Sequence, residues 1–212
     1  MNLLDDTCYM CDDIATTDEH VPPKCLFPDG YRKNLITVRS CKKHNNDKAR
    51  DDEFLRTLLV YDDDANKFGN DLFFGKTLRA VSRKPIAYAN FFKPQLQINS
   101  PTGIVHKIDR NRFDQCVEHI VKGIYFYHYN KKIFSHLFVA SPRFNSRTRK
   151  GNPYVKSEII DFCNRVKSIL QYEPIYGDNR EIFQYRILST KDGILFAAQF
   201  YESTEIFVSG SV

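Results

Sequence analysis

No apolar run in the 212-residue sequence approaches the roughly 20 residues that cross a bilayer, so no membrane-spanning helix is expected. Met1 to Asp6 has neither the basic start nor the apolar stretch of a secretory signal, and a cytoplasmic protein is expected. There is no internal repeat and no low-complexity segment, which sets aside repeat arrays and compositionally biased chains. Nor is one sign of charge dominant. Lys and Arg number 31 against 26 Asp and Glu, and the net charge of +5 permits a polyanionic partner without requiring one. The six cysteines do not read as a disulfide framework: in a reducing compartment their pattern argues for one metal site plus buried thiols. Cys25, Cys116 and Cys163 lie among apolar neighbours and are expected to be such thiols.

What is present concentrates between Cys8 and Lys48. Cys8 and Cys11 form a CxxC pair, and Cys41 and His44 form a CxxH pair. Together they match the spacing of a closed tetrahedral zinc site, which would tie the N-terminus to the start of the following helix. A unit of about 55 residues buries little core by itself, and a structural metal is a common source of stability at that size. Between the two pairs lie Glu19-His20, Asn34-Leu35 and, after Cys41, Asn45. Hydrolysis of a phosphodiester needs a base for water, a divalent ion for phosphate charge and a group to orient the base, and these residue types can supply all three.

This segment resembles the HNH nuclease family, whose ββα-metal motif it follows in order: Glu19-His20 with Pro22 after them, Asn34-Leu35, then Cys41 to Asn45 with Lys48 beyond. The resemblance covers about residues 8 to 56. It implies that His20 is the general base and that Glu19 and Asn45 bind a catalytic divalent ion, Mg²⁺ or Mn²⁺. It also implies that Asn34 is the central asparagine that orients the base. Three positions depart from the commoner pattern: Glu19 stands where the family more often has Asp, Asn45 where many members have His, and His44 where the second pair usually has its second cysteine. Because neighbouring strand positions face opposite ways, Glu19 and His20 can reach one phosphate only if the strand ends there, which Pro22 and Pro23 would enforce.

The fold expected is α+β. Strands over 17–21 and 35–39 and a helix over about 43–60 would make a zinc-supported nuclease module of residues 1–62. The acidic stretch Asp62-Asp63-Asp64-Ala65-Asn66 is taken as its boundary. Residues 70–212 would form a second α+β module. Helical stripes run through Phe113, Cys116, Val117, Ile120, Val121 and Ile124, and through Val155, Ile159, Phe162, Val166, Ile169 and Leu170. An antiparallel sheet is expected from 132–140, 181–189 and 194–207, with Lys191-Asp192-Gly193 as a hairpin turn.

This second module would select substrate, dimerise or dock an activating protein partner. Lys48 and Arg50 on the first helix are candidate phosphate contacts, as are Arg143 and Arg147 in a basic loop with Arg149 and Lys150. His106, His119, His128 and His136 show no metal spacing. The function expected is metal-dependent endonuclease activity on nucleic acid, DNA before RNA, of the kind the resemblance associates with bacterial restriction or anti-phage defence. The alternatives are a zinc-finger-like nucleic-acid-binding module without chemistry and an RNA-directed nuclease toxin on the same motif.

Overall fold

Two short strands with alternating burial open the structure. β1 (Thr17–His20) pairs antiparallel with β2 (Thr37–Ser40), with Asp18 opposite Arg39, Glu19 opposite Val38 and His20 opposite Thr37. β1 ends one residue before the cis Val21–Pro22 peptide. β2 leads through a short 3₁₀ turn at Asn46–Lys48 into helix α1 (Ala49–Val60), which buries Phe54, Leu55, Leu59 and Val60. The computed structural model describes residues 6–62, 64–86, 108–145, 147–149 and 152–212. Asp63, His106 and Lys150, and the side chains of Arg147 and Arg149, lie outside the described residues.

Beyond α1 the chain continues helical. Asn66 caps α2 (Lys67–Leu72) by accepting from the amides of Phe68 and Gly69 at 3.0 and 3.4 Å. A π turn over Phe73–Thr77 joins α2 to α3 (Leu78–Arg83). The long helix α4 (Arg110–Tyr129) starts on an Asp109 cap and ends at Asn130 in the left-handed conformation. It carries the first expected apolar stripe into the core. Helix α5 (Ser157–Leu170) carries the second, burying Cys163, Val166 and Leu170.

The main sheet has four antiparallel strands in the order β3 (Phe138–Ala140), β8 (Thr204–Gly210), β7 (Ile194–Phe200), β6 (Phe183–Ser189). A separate small hairpin joins β4 (Arg147–Arg149) to β5 (Asn152–Tyr154). Period-2 alternation sends Phe183, Tyr185, Phe196, Phe200 and Val208 into the large core, while Phe207, Leu195, Ala197 and Leu188 meet α5 on the opposite face. The run 194–207 is thus two strands. They are joined by a turn at Tyr201 and Glu202, both at positive φ, with the Ser203 amide donating to the Phe200 carbonyl.

The large core is continuous across the boundary expected at 62–70. One cluster contains Cys8, Val38 and Leu55 from the N-terminal part together with Val121, Phe196 and Val208. The acidic stretch belongs to this body. The Asp62 carboxylate is buried, accepts from Thr204 Oγ1 at 3.1 Å and pairs with Arg143 at 2.5 Å. Arg112 on α4 pairs with Asp51 on α1 at 2.7 Å and lies over the Phe54 ring. At Gly123 the two parts pack closely, since a Cβ there would sit 2.5 Å from Val21 Cγ1. Among the described residues no helix is long and apolar enough to cross a membrane.

Candidate active site and metal centre

The CxxC pair sits in a tight loop closed by the Thr7 to Ile14 bridge and by the Cys8 amide donating to the Asp13 carbonyl. The CxxH pair lies where β2 gives way to the turn before α1, with the His44 amide donating to the Cys41 carbonyl. His44 Nδ1 stands 3.4, 3.5 and 3.3 Å from the sulfurs of Cys8, Cys11 and Cys41, and Cys11 and Cys41 are 3.9 Å apart. Tetrahedral zinc bonds of about 2.0 to 2.3 Å place ligand atoms roughly 3.5 to 3.8 Å from one another. The four residues therefore form a cluster that could hold a zinc ion.

Electrostatics suit that role. Burial alone would raise the Cys8 thiol, but backbone hydrogen bonds from Cys41, Met10 and Cys11 outweigh it and hold the thiol below its ordinary value. Burial, with Lys43 nearby, lowers His44 and favours the neutral imidazole that ligates metals. Two further groups brace the loop. Lys132, just beyond α4, donates from Nζ to Thr7 Oγ1 and to the Cys11 carbonyl. Fully buried Tyr9 reaches His119 on α4 through its hydroxyl at 3.4 Å. His119, expected to be an ordinary residue, is in ring contact with His44 and is lowered to about 4 by burial.

The second site is a cleft of about 380 Å³ between β1 and α1, lined in part by Asp18, His20, Lys24, Asn45 and Arg56. Strand alternation puts Asp18 and His20 on one side of β1. Asn45 reaches the strand from the start of the 3₁₀ turn, its Nδ2 donating to Thr17 Oγ1 and to the Asp18 carbonyl, each at 3.0 Å. Its Oδ1 has no protein partner among the described residues. Burial lowers His20, Lys24 pushes it in the same direction and Asp18 opposes them, so the imidazole is neutral near pH 7. A neutral imidazole beside an open cleft can accept a proton from water.

Glu19 lines the same cleft, but its carboxylate is drawn inward. Its side chain is 5 % exposed, and its Oε1 lies 2.6 Å from Lys48 Nζ, which lies 2.6 Å from Asp52 Oδ1 as well. Burial raises both carboxyls while Lys48 opposes it. Burial would lower Lys48, but Asp52 and Glu19 together outweigh it and hold the ammonium above its usual value. Two carboxylates share one ammonium, so the triad keeps negative charge inside the fold.

Of the expected residues, the structure brings Glu19, His20 and Asn45 to one cleft and Cys8, Cys11, Cys41 and His44 to one cluster. It does not present Glu19 as a free ligand beside Asn45, because Lys48 holds the carboxylate. Asn34 sits in a left-handed turn before β2, which suits asparagine. It lines a separate cavity with Tyr127, His128 and Tyr176 rather than the His20 cleft. Lys48 is an interior ion, not a phosphate contact. Arg143 is engaged by Asp62 and Asp64. Arg50 is exposed on α1 but is not part of the cleft lining.

Two cations that do line the cleft, Lys24 and Arg56, escaped the sequence reading. A signal existed for Arg56: Asn45, Ala49, Asp52 and Arg56 recur at helical spacing, so a residue that shares Asn45's face was identifiable. The Arg56 Nε is buried without a hydrogen-bond partner among the described residues. No protein-family model matches the chain, and neither the curated proteins nor the solved structures contain a match to it.

Elemental analysis of the purified protein should find one zinc per chain, and Cys41→Ser should lose that metal and lower the thermal midpoint. Retention of zinc by the variant would exclude the cluster as its site. Lys48→Met should cost about 3 to 5 kcal/mol in urea unfolding near neutral pH, because it strands the buried Glu19 carboxylate and the half-buried Asp52 carboxylate. That deficit should shrink as the pH falls through their raised pKa values and the carboxylates take up protons.

Proposed function

We propose that the chain is an HNH-type endonuclease that hydrolyses phosphodiester bonds of nucleic acid, DNA first by the resemblance, with His20 as general base. The observation that supports this reading is the meeting of His20 and Asn45 in one cleft, carried by two strands and a helix whose junction the Cys/His cluster pins. In the proposed reaction neutral His20 takes a proton from water, and the resulting hydroxide attacks phosphorus. The P–O3′ bond breaks, giving a 5′-phosphate and a 3′-oxygen that is protonated from solvent. Arg56 and Lys24 supply positive charge where the phosphoryl oxygens gain negative charge. Zinc at Cys8, Cys11, Cys41 and His44 has a structural role, since four protein ligands leave no open position.

A divalent ion such as Mg²⁺, when bound, supplies charge stabilisation in this chemistry. Its expected ligand pair does not fit as it stands, because Glu19 Oε1 belongs to Lys48, and the proposal assigns the ion no step. That same ion pair favours the second reading, a zinc-supported nucleic-acid-binding module without chemistry.

Incubating wild type and His20→Ala with supercoiled plasmid, single-stranded DNA and total RNA, each with Mg²⁺, Mn²⁺ or EDTA, separates the two. The nuclease reading expects cleavage in the wild type that falls about 10²- to 10⁴-fold in the variant at unchanged zinc content. Binding without any His20-dependent product would establish the second reading. Where cleavage occurs, its rate should fall as the pH drops through the His20 pKa, below the ordinary histidine value. Lys24→Gln should move that acid limb to higher pH, since removing the nearby positive charge makes His20 easier to protonate. An unmoved limb would separate Lys24 from the base.

A further inference from the structure

The charge that could hold a polyanion in place is not where the sequence motif points. Beside α1 lies a groove of about 420 Å³ lined by Glu53, Lys76, Arg79, Ala80, Arg83 and Lys84. Lys76 ends the basic side of the π turn, and Arg79, Arg83 and Lys84 follow at the spacing of one helical face. α1 packs against α2 and the π turn, which brings this face beside the His20 cleft. Glu53 lines both the groove and the cleft, so the two are contiguous. A π turn inside a run of helix is itself a common mark of a functional segment.

The cations differ in what they already hold. Lys76 pairs with Asp29 at 2.9 Å and ties the loop after β1 to the π turn. Arg79 is exposed, donates from Nε to the Gly75 carbonyl and pairs with no carboxylate among the described residues. Arg83 and Lys84 are exposed and have no side-chain partner among the described residues. By contrast Lys48, Arg112, Arg143 and Lys132 are each committed to carboxylates within the protein. From Lys76 to Lys84 the face runs about 12 Å at the helical rise, the length of three to four nucleotides along one strand.

We infer that Arg79, Arg83 and Lys84 form a track for the phosphate backbone of a nucleic acid, which leads the strand into the His20 cleft. The inference rests on the nuclease reading for what happens in the cleft, but not for binding on the track. The contacts are to phosphates, so the track positions the strand without reading its sequence. It also accounts for how a chain of modest net charge holds a polyanion: three cations with no carboxylate partner among the described residues are gathered along one helix face next to the site.

The test compares the full-length protein with the triple variant Arg79→Gln, Arg83→Gln, Lys84→Gln, and with a control of equal charge loss, Lys131→Gln, Arg165→Gln, Lys191→Gln. Binding of a labelled duplex DNA and a labelled single-stranded RNA is measured across a salt series, with hydrolysis of the small diester bis(4-nitrophenyl) phosphate measured alongside. The track variant should bind at least about tenfold more weakly, and its slope of log affinity against log salt should fall by about 2 to 3 for duplex DNA, roughly one counterion per lost contact. The control should keep the wild-type slope, and small-diester hydrolysis should be the same in all three proteins, since a single diester needs the cleft alone. An unchanged slope in the track variant, or an equal fall in the control, would overturn the track. With His20→Ala assayed alongside, small-diester hydrolysis that persists in that variant together with an altered slope in the track variant would overturn His20 as the base and leave the track standing. Preference for DNA or RNA decides which backbone it carries.

Discussion

The Lys48 ammonium, enclosed between Glu19 and Asp52, is the constraint on which the arrangement of the site depends. It joins β1 to α1 through a contact that neither element could keep alone, because the Glu19 carboxylate would otherwise be buried without a counter-charge. Holding Glu19 inward decides the phase of the strand. With a period of two, Asp18 and His20 must then face the other side, where Asn45 and Arg56 meet them. The same pair engages the Glu19 carboxylate although the residue lines the cleft, so the expected acidic ligand is already held by an ammonium.

The Cys/His cluster acts at the other end of the same frame. It gathers the N-terminal loop, the end of β2 and the approach to α1 at one point, and Lys132 and Tyr9 then bind that point to the long helix. The N-terminal part is consequently one wall of a shared core, not a module that folds against its own small interior. Val21, next to His20, touches α4 where Gly123 leaves room for it. The end of β1, next to His20, thus packs directly against the longest helix among the described residues.

Charge follows a different logic from packing. Position in a motif says little about what a cation does, because an interior carboxylate can claim it. Lys48 follows Asn45 closely in sequence yet is interior, and Arg143 belongs to a basic loop yet is held by Asp62. Arg83 and Lys84 belong to no recognised motif and are left facing solvent beside the cleft. Partnership in three dimensions separates structural cations from those able to meet a ligand.

Local chemistry was enough to determine several features of this protein. Two ligand pairs at matched spacing announced the Cys/His cluster, helical stripes announced α4 and α5, and alternating β-formers announced an antiparallel sheet, since each signal lies within a few residues of itself. Asp192 and Gly193 marked the Lys191 to Gly193 turn. No such signal marked the Tyr201 and Glu202 turn, which is held from outside by Tyr201 donating to the Leu26 carbonyl and by Asn66 bonding Glu202. The acidic stretch read as a linker because its partners, Thr204 and Arg143, lie some 140 and 80 residues away. Which face of β1 is interior, whether Asn34 joins the cleft and which cations remain unpaired were decided only by the tertiary structure, because each depends on a contact between residues that the sequence keeps far apart.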